Sequence, residues 1–355
     1  MDFDGIRGLT GAINNSLAQF FEQESASLGN IGVELTPVSD SLGRFLLDSG
    51  KRLRPLFATI GFLGAGGTLS PEIIRATASL ELVHVCALIH DDVMDASDTR
   101  RGAPAIHKQF QARHQAEGLH GDSEQFGVAA AILLGDLALI WAAKALHESG
   151  APSENILHSL PFYDEMRVEL MAGQYLDIYE QALASESVER SLKVARYKSG
   201  KYSIERPLHF GASLTARSAP NVIEIYSQYG LPLGEAFQLR DDVIGVFGDP
   251  EKTGKPAGDD LREGKRTVLV ATTLSRSNVV QRTEFLTLFG RKDLDSSQVQ
   301  SLRQIIVDTG ALIELETVIE EMTFKAHKAL TTGGITPEAV ALLDEMAVVA
   351  TQRSS

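Results

Sequence analysis

Cysteine is nearly absent from this sequence, which has Cys86 alone among its 355 residues. A single thiol cannot form an intramolecular disulfide, and it excludes a zinc site built on paired thiolates. Basic residues are also in deficit, with 33 Lys and Arg against 47 Asp and Glu and a net charge of -14. Such a chain lacks the positive surface that an extended nucleic acid or an anionic membrane requires. We therefore predict no nucleic-acid partner.

The sequence also lacks an uncharged apolar run of membrane-spanning length. Its most hydrophobic stretch, residues 126–146, has Asp136 at its middle and Lys144 near its end. An aspartate at the centre of a span costs about 2.5–3.5 kcal/mol, so we predict a buried helix instead of a transmembrane segment. The first residues, MDFDGIRG, are acidic where a secretory signal is basic. These observations predict a soluble, cytoplasmic protein.

Strand alternation is scarce, and apolar residues recur at helical spacing almost throughout the chain. Turn residues interrupt this pattern at 64–71, 100–104, 148–155, 217–221, 247–260 and 331–338. The interruptions separate ten or more helices with short connections, and no linker or low-complexity tract divides them. We predict one large all-α domain that spans residues 1–355.

Two acidic motifs with a shared core lie about 150 residues apart. HDDVMD occupies residues 90–95 and RDDVIG occupies residues 240–245, each at the end of a long apolar helix. The dipole at a helix C-terminus is already negative, which disfavours carboxylates there. A pair of such motifs in the same unfavourable setting indicates that something positive binds to them.

The chemistry of these motifs favours magnesium. At roughly 100° per residue, Asp91, Asp92 and Asp95 share one face of one helical turn. Oxygen ligands without neighbouring His or Cys suit Mg²⁺, which bridges one or two carboxylates to substrate phosphate. A solvated acidic face is the alternative for a single motif, and the repetition of the motif argues against it.

Basic residues recur around these motifs. Lys51, Arg52 and Arg54 fall within four positions, and Arg100 and Arg101 follow the first acidic motif. Each alone is typical of a weak surface ion pair. Together with two magnesium-type sites, they predict a pocket that holds two separate polyanions.

The order and spacing of seven motifs resemble those of the trans-isoprenyl diphosphate synthases, the polyprenyl synthetase family that includes farnesyl and geranylgeranyl diphosphate synthases. The motifs are GKRLRP at 50–55, LIHDDVMDASDTRRGAPAIH at 88–107, GD at 135–136, GQYLD at 173–177, KSGKYS at 198–203, FQLRDDVIGVFGD at 237–249 and TGKPAGDDLREGK at 253–265. The resemblance implies the isoprenoid synthase fold, a single helical bundle around a central substrate cavity. It also implies condensation of isopentenyl diphosphate with an allylic diphosphate into a longer all-trans prenyl diphosphate.

The resemblance implies roles for individual residues. The magnesium-binding carboxylates would be Asp91, Asp92, Asp95, Asp241 and Asp242. The residues that contact the allylic diphosphate would be Arg100, Lys198, Ser199, Gln238, Lys255 and Lys265. The metal-free diphosphate of isopentenyl diphosphate would be bound by Lys51, Arg54, His84 and Arg101, and Gln174 and Asp177 would line the same cavity. The residues implied to act in catalysis are Asp91, Asp92, Asp95, Lys198 and Asp241, with about three Mg²⁺ ions per active site.

One position departs from the family pattern. The second motif has Gly245 where a third aspartate is common. The first aspartate of this motif is the principal ligand in the family, so activity is expected to survive. We expect Asp241→Ala to abolish turnover and Gly245→Asp to change it little.

Small side chains precede the first acidic motif. In the family, bulky residues one or two turns before the first aspartate limit the length of the prenyl tail. Here those positions carry Cys86 and Ala87, with the medium-sized Val83 deeper. This favours geranylgeranyl diphosphate as the product, with farnesyl or longer polyprenyl diphosphates as the alternatives.

Two other classes share part of the pattern. A terpene cyclase has the all-α fold and one DDxxD motif, but it does not need the GKRLRP segment for a second diphosphate. A non-catalytic subunit of a heteromeric prenyl synthase loses aspartates or basic residues, and only Gly245 points that way. The resemblance further implies a homodimer.

Overall fold

The computed structural model of the chain describes residues 5–48, 50–216, 220–249 and 258–352. Most of these residues are helical. Within the described ranges, the strands β1 (Thr99–Arg100) and β2 (Ala103–Pro104) pair in one antiparallel hairpin. The prediction of an all-α protein is confirmed.

The chain divides into two compact units. Unit 1 takes in the described residues of Met1–Leu160 and Phe210–Arg217, and unit 2 those of Pro161–His209 and Ser218–Ser355. The prediction of one domain over residues 1–355 stays a prediction.

Unit 1 contains six whole helices and the hairpin. The helices are α1 (Gly5–Ile31), α2 (Thr36–Leu47), α3 (Leu53–Gly64), α4 (Pro71–Met94), α5 (Ile106–Ala116) and α6 (Ser123–His147), with a short 3₁₀ turn at Val33–Leu35. Helix α4 is the centre of this unit, because it packs against α6 most extensively and also against α1, α2, α3 and α5. Its apolar side chains, such as Leu80 and Ile89, are fully buried.

Unit 2 is built around a second long helix. The remaining elements are α7 (Ser153–Ala182), α8 (Val188–Val194), a π-helical segment (Ala195–Glu205), α9 (Arg206–Ser213), α10 (Pro220–Phe247), α11 (Asp259–Glu263), α12 (Val268–Arg276), α13 (Val279–Leu288), α14 (Ser296–Asp308), α15 (Ala311–Leu330) and α16 (Pro337–Thr351). The boundary between the units falls within α7, after Leu160, and again within α9, after His209. Helix α10 packs against the π-helical segment, α15 and α16, and buries Leu239 and Val246 in the core.

Local sequence explains where the helices begin. Ser70 caps α4 by accepting the backbone N–H of Ile73, and Pro71 occupies the first position, where a missing N–H costs nothing. Asp122 caps α6 by accepting the N–H of Gln125 at 2.8 Å. The predicted interruptions at 64–71, 148–155 and 331–338 separate helices in the structure.

Helices α4 and α6 are each long and apolar enough to cross a membrane by length and composition. The most apolar window of α4 is 72% buried in the fold, whereas that of α6 is 39% buried. Helix α6 packs on α4 and α5 but leaves Leu133 and Ile140 exposed. The prediction of a buried helix at 126–146 is therefore correct for one face only.

Candidate active site

The first acidic motif lies at the C-terminal end of α4. Asp91 is half-buried, the side chain of Asp92 is 1% exposed, and Asp95 follows the last helical residue directly. Their carboxylates therefore stand at the negative end of the helix dipole, as the sequence predicts. Three carboxylates in one turn repel one another unless positive charge approaches them.

The hairpin after α4 supplies positive charge to this motif. Arg101 and Gly102 form its turn with φ values of 54° and 75°, the left-handed conformation that tight hairpins need. Arg100 then points back, and its Nε donates to Oδ1 of Asp92 at 2.8 Å while a second guanidinium nitrogen donates to the same oxygen. Burial lowers the pKa of Arg100, but the bond to Asp92 and the charges of this motif raise it above its usual value. Arg100 is thus placed on the acidic motif.

A basic cluster surrounds His84, two turns before Asp91. Burial holds the pKa of His84 well below its usual range, and the charges of Arg54 and Arg101 lower it further. The imidazole is therefore neutral near pH 7, among guanidinium groups. Lys51, also predicted to bind isopentenyl diphosphate, is exposed just before α3. The structure brings His84, Arg54 and Arg101 together.

Arg52 has a different role from its neighbours. Its φ of 52° is left-handed, and its side chain is directed inward. The guanidinium donates to Asn14 at 2.8 Å, to Glu81 at 2.8 Å and to the carbonyl oxygen of Leu46 at 2.7 Å. Arg52 therefore ties α1, the end of α2 and α4 together beneath the basic cluster.

The residues predicted to limit product length lie on different faces of α4. Cys86 and Val83 are fully buried, and the Cys86 Sγ lies 3.7 Å from Nδ1 of His90. Ala87 is half-buried, as are His84 and Asp91, which share its face of α4.

Helix α6 makes room for His90. Nε2 of His90 donates to the carbonyl oxygen of Ile132 at 3.0 Å, and a Cβ on Gly135 would overlap the imidazole ring. The glycine of the GD motif at 135–136 thus lets α6 approach the end of α4. Cys86 belongs to this contact, and Ala87 lies on the face with the polar site residues.

The second acidic motif lies near the end of α10. Asp241 is half-buried, whereas Asp242 is buried and accepts from Nε2 of Gln238 at 2.9 Å and from the backbone N–H of Val268 at 3.1 Å. Burial raises the pKa of Asp242 to about 8, the bond from Gln238 opposes the rise, and the charges of Asp260 and Asp241 add to it. Oδ1 of Asp242 is therefore bonded within α10, and Oδ2 joins α10 to the start of α12.

The π-helical segment carries Lys198 and Ser199, both half-buried. Nζ of Lys198 donates to Oδ2 of Asp177 at 2.6 Å, and the half-buried Gln174 lies one turn earlier on α7. Lys265 pairs with Glu263 at 2.9 Å. Lys255 lies outside the described residues.

The donors fit magnesium by their chemistry. The two acidic motifs offer carboxylate oxygens only, which are the ligands that Mg²⁺ prefers. Among the residues that the structure describes, no group of three His, Cys, Asp or Glu side chains forms a ready-made metal cage. Mg²⁺ does not need one, since it keeps several waters and binds through one or two carboxylates plus phosphate.

Known proteins resemble this chain over most of its length. The profile of the polyprenyl synthetase family matches residues 37–306. A geranylfarnesyl diphosphate synthase of Aeropyrum pernix is 33% identical over 267 residues, which are 74% of this chain and 77% of that protein. A geranylgeranyl diphosphate synthase of Sulfolobus acidocaldarius is 31% identical over 260 residues, 72% of this chain and 73% of that protein.

A solved structure extends the match to nearly the whole chain. The geranylgeranyl pyrophosphate synthase of Corynebacterium glutamicum, solved with isoprenyl diphosphate and magnesium, is 40% identical with a TM-score of 0.94. The match covers 99% of this chain and 100% of that one. Fold and sequence together define an all-α prenyltransferase. The chain belongs to the polyprenyl synthetase family.

Proposed function

We propose that this enzyme condenses isopentenyl diphosphate with an allylic diphosphate, and that its main product is geranylgeranyl diphosphate. The similar enzymes of Sulfolobus acidocaldarius and Corynebacterium glutamicum carry that product in their names. The small side chain of Ala87 on the polar face of α4 supports a product longer than farnesyl diphosphate. The double bond of isopentenyl diphosphate attacks the allylic cation as its diphosphate leaves, and a proton is then lost.

The observation that carries this proposal is the arrangement of charge on α4. Asp91, Asp92 and Asp95 lie at its C-terminal end, and His84, on which the charges of Arg54 and Arg101 act, lies seven residues before Asp91. Seven residues of helix span about 10 Å, enough to keep two diphosphates apart. One end is suited to a metal-bound diphosphate and the other to a metal-free one.

Each group of side chains would do a separate task. Arg54, Arg101 and Lys51 would bind the diphosphate of isopentenyl diphosphate, and the neutral His84 would donate a hydrogen bond to it. Arg100 would shift from Asp92 toward the allylic diphosphate, and Lys198 would do so from Asp177. Lys265, Lys255, Ser199 and Gln238 would complete the contacts to that diphosphate.

Magnesium, about three ions when bound, would neutralise the negative charge that develops on the leaving diphosphate. Asp91, Asp92, Asp95 and Asp241 would hold it. Asp242 is also predicted to bind it, since each of its oxygens accepts one bond, from Gln238 or Val268, and keeps a second lone pair.

The enzyme would act as a cytoplasmic homodimer. On α6, Phe126, Leu133 and Ile140 recur every seven residues, and Leu133 and Ile140 are 66% and 63% exposed. An exposed apolar stripe at heptad spacing is suited to packing against a second helix of the same kind. A second copy of this chain supplies that helix.

The test is an elongation assay. Purified protein would be incubated with labelled isopentenyl diphosphate and dimethylallyl, geranyl or farnesyl diphosphate, with Mg²⁺ or EDTA. We expect metal-dependent elongation, with a twenty-carbon alcohol as the main dephosphorylated product. Asp91→Ala should lower kcat at least about 100-fold, because it removes stabilisation of the leaving group.

Asp308→Ala provides the control, since Asp308 is exposed at the end of α14 and lies outside both motifs. Its activity should match that of the unmodified enzyme. A cyclic hydrocarbon product would indicate a terpene cyclase. No elongation from any of the three primers would contradict the proposal.

A further inference from the structure

The second acidic motif lacks a side chain at one of its positions. Asp241 and Gly245 lie one turn apart on α10, so a side chain at 245 would point to the same side as Asp241. In the pattern that the sequence resembles, this position carries a third aspartate. The departure leaves bare backbone where a carboxylate is expected.

Another carboxylate fills this space. A Cβ built on Gly245 would overlap Oδ2 and Cγ of Asp260, which comes from α11. The side chain of Asp260 is only 14% exposed. The glycine is therefore a condition for the approach of Asp260, because any other residue would push its carboxylate away.

The backbone of the following segment holds Asp260 in place. Leu261 is fully buried, and its carbonyl oxygen accepts the N–H of Gly290 at 2.9 Å. The carbonyl oxygen of Asp260 itself accepts the N–H of Lys265 at 3.1 Å. The position of Asp260 is thus determined by buried packing and backbone bonds.

Charges around Asp260 agree with this placement. Asp241, Asp242 and Asp260 lie close enough for their charges to interact. Nζ of Lys265 lies 4.0 Å from Oδ1 of Asp260. The group resembles a motif with three carboxylates and an adjacent cation.

We propose that Asp260 supplies the third carboxylate of the second acidic motif, and that Gly245 is the position that admits it. The proposal rests on the proposed function, since it concerns how the same site binds magnesium with the allylic diphosphate. It replaces the earlier expectation that Gly245→Asp is nearly silent. In that variant, two carboxylates compete for one space.

The experiment is a double-mutant cycle with binding as its readout. The probe is farnesyl S-thiolodiphosphate, an unreactive analogue, titrated with and without Mg²⁺ by calorimetry. Asp260→Ala and Gly245→Ala should each weaken Mg²⁺-dependent binding about tenfold or more, as losses around a metal site commonly do. The variant that combines both alanines should bind the analogue no more weakly than Asp260→Ala alone, because the two changes remove the same interaction.

The decisive variant moves the carboxylate from position 260 to position 245. Gly245→Asp combined with Asp260→Ala returns the carboxylate to α10 and should bind within about threefold of the unmodified protein. Gly245→Asp alone should bind more weakly than this pair. Asp259→Ala removes the neighbouring carboxylate of the same short helix and should leave binding unchanged. Melting temperatures verify that each variant is folded.

Two results would overturn the inference. One is a folded Asp260→Ala variant that binds the analogue as tightly as the unmodified protein. The other is an exchanged variant as weak as Asp260→Ala. If the unmodified protein itself neither elongates prenyl chains nor binds the analogue with Mg²⁺, the proposed function fails and the inference with it.

Discussion

Ala87 and Cys86 are neighbours on α4, yet their surroundings predict opposite effects for the same substitution. Ala87 is half-buried on the face of His84 and Asp91, one turn from the acidic motif. Ala87→Phe should therefore place a phenyl ring in the path of the growing prenyl tail. We expect a product at least one isoprene unit shorter, measured by chromatography of the dephosphorylated alcohols.

Cys86→Phe is the matched control. Cys86 is fully buried beside His90, so a larger side chain must displace packed atoms. Overpacking of this kind costs about 1–3 kcal/mol of unfolding free energy. Product length should stay the same while the unfolding midpoint in urea falls. A shortened product from Cys86→Phe and an unchanged one from Ala87→Phe would show that the tail follows another face.

The sequence predicts which residues belong to a motif better than it predicts the direction of their side chains. Spacing alone placed Asp91, Asp92 and Asp95 on one turn, and the structure has them at the end of α4. Spacing could not separate Arg52 from Lys51, although Arg52 is buried and bonded to Glu81 whereas Lys51 is exposed. Residues that come together across a loop are separated in the sequence, so no local spacing pattern predicts their contact.

The segment Ala195–Glu205 is π-helical and packs against α10. It runs between α8 and α9 and presents Lys198 to Asp177. Extended π-helical turns are rare and are often found at functional sites. Turn residues predict where helices end, but the π-helical segment runs from α8 into α9 without a break. No turn residue in the sequence could therefore have predicted it.

Two glycines set the distance between this segment and α10. A Cβ on Gly234 would overlap the backbone of Gly200, so the two helices are in backbone contact there. Gly234→Ala should lower the free energy of unfolding by about 1–3 kcal/mol, since rigid backbone must move. It should also raise the KM for the allylic substrate, because Lys198 lies on the displaced segment. Urea unfolding and steady-state kinetics measure the two effects.

Gly29→Ala is the control for this prediction. Gly29 lies within α1, and a Cβ there would meet nothing within 4 Å. Alanine in an open helical position should stabilise the protein by about 0.5–1 kcal/mol and leave KM unchanged. A Gly234→Ala variant as stable as the unmodified protein would mean that the contact tolerates a methyl group.

For the molecule as a whole, the net charge of -14 predicts no extended nucleic acid as a partner and does not argue against a small polyanion. The described positive side chains near His84 gather in unit 1, where the charges of Arg54, Arg101 and Arg100 act on one imidazole. Such a cluster forms in three dimensions from α3, α4 and the hairpin. The motifs therefore predicted the residues of this cluster, and composition contains no signal for it. The absence of a nucleic-acid partner stays a prediction from composition.

The exposed apolar side of α6 is relevant to the assembly of the whole molecule. An apolar stripe in contact with water favours association, and a charge placed at its centre would have to be desolvated on contact. Leu133→Glu should raise the dissociation constant of the proposed homodimer by about 30-fold or more, as loss of a central interface residue commonly does. Sedimentation equilibrium over a range of protein concentrations measures this change.

Val279→Glu offers a matched control, because Val279 is 81% exposed at the start of α13 and does not belong to the stripe on α6. Its dissociation constant should equal that of the unmodified protein. Both variants place a charge where the side chain already contacts water, so neither should lower the unfolding free energy of the monomer by much. Equal dimerisation of the two variants would show that α6 is not the interface, whereas a selective loss in Leu133→Glu assigns the stripe to a second copy of the chain.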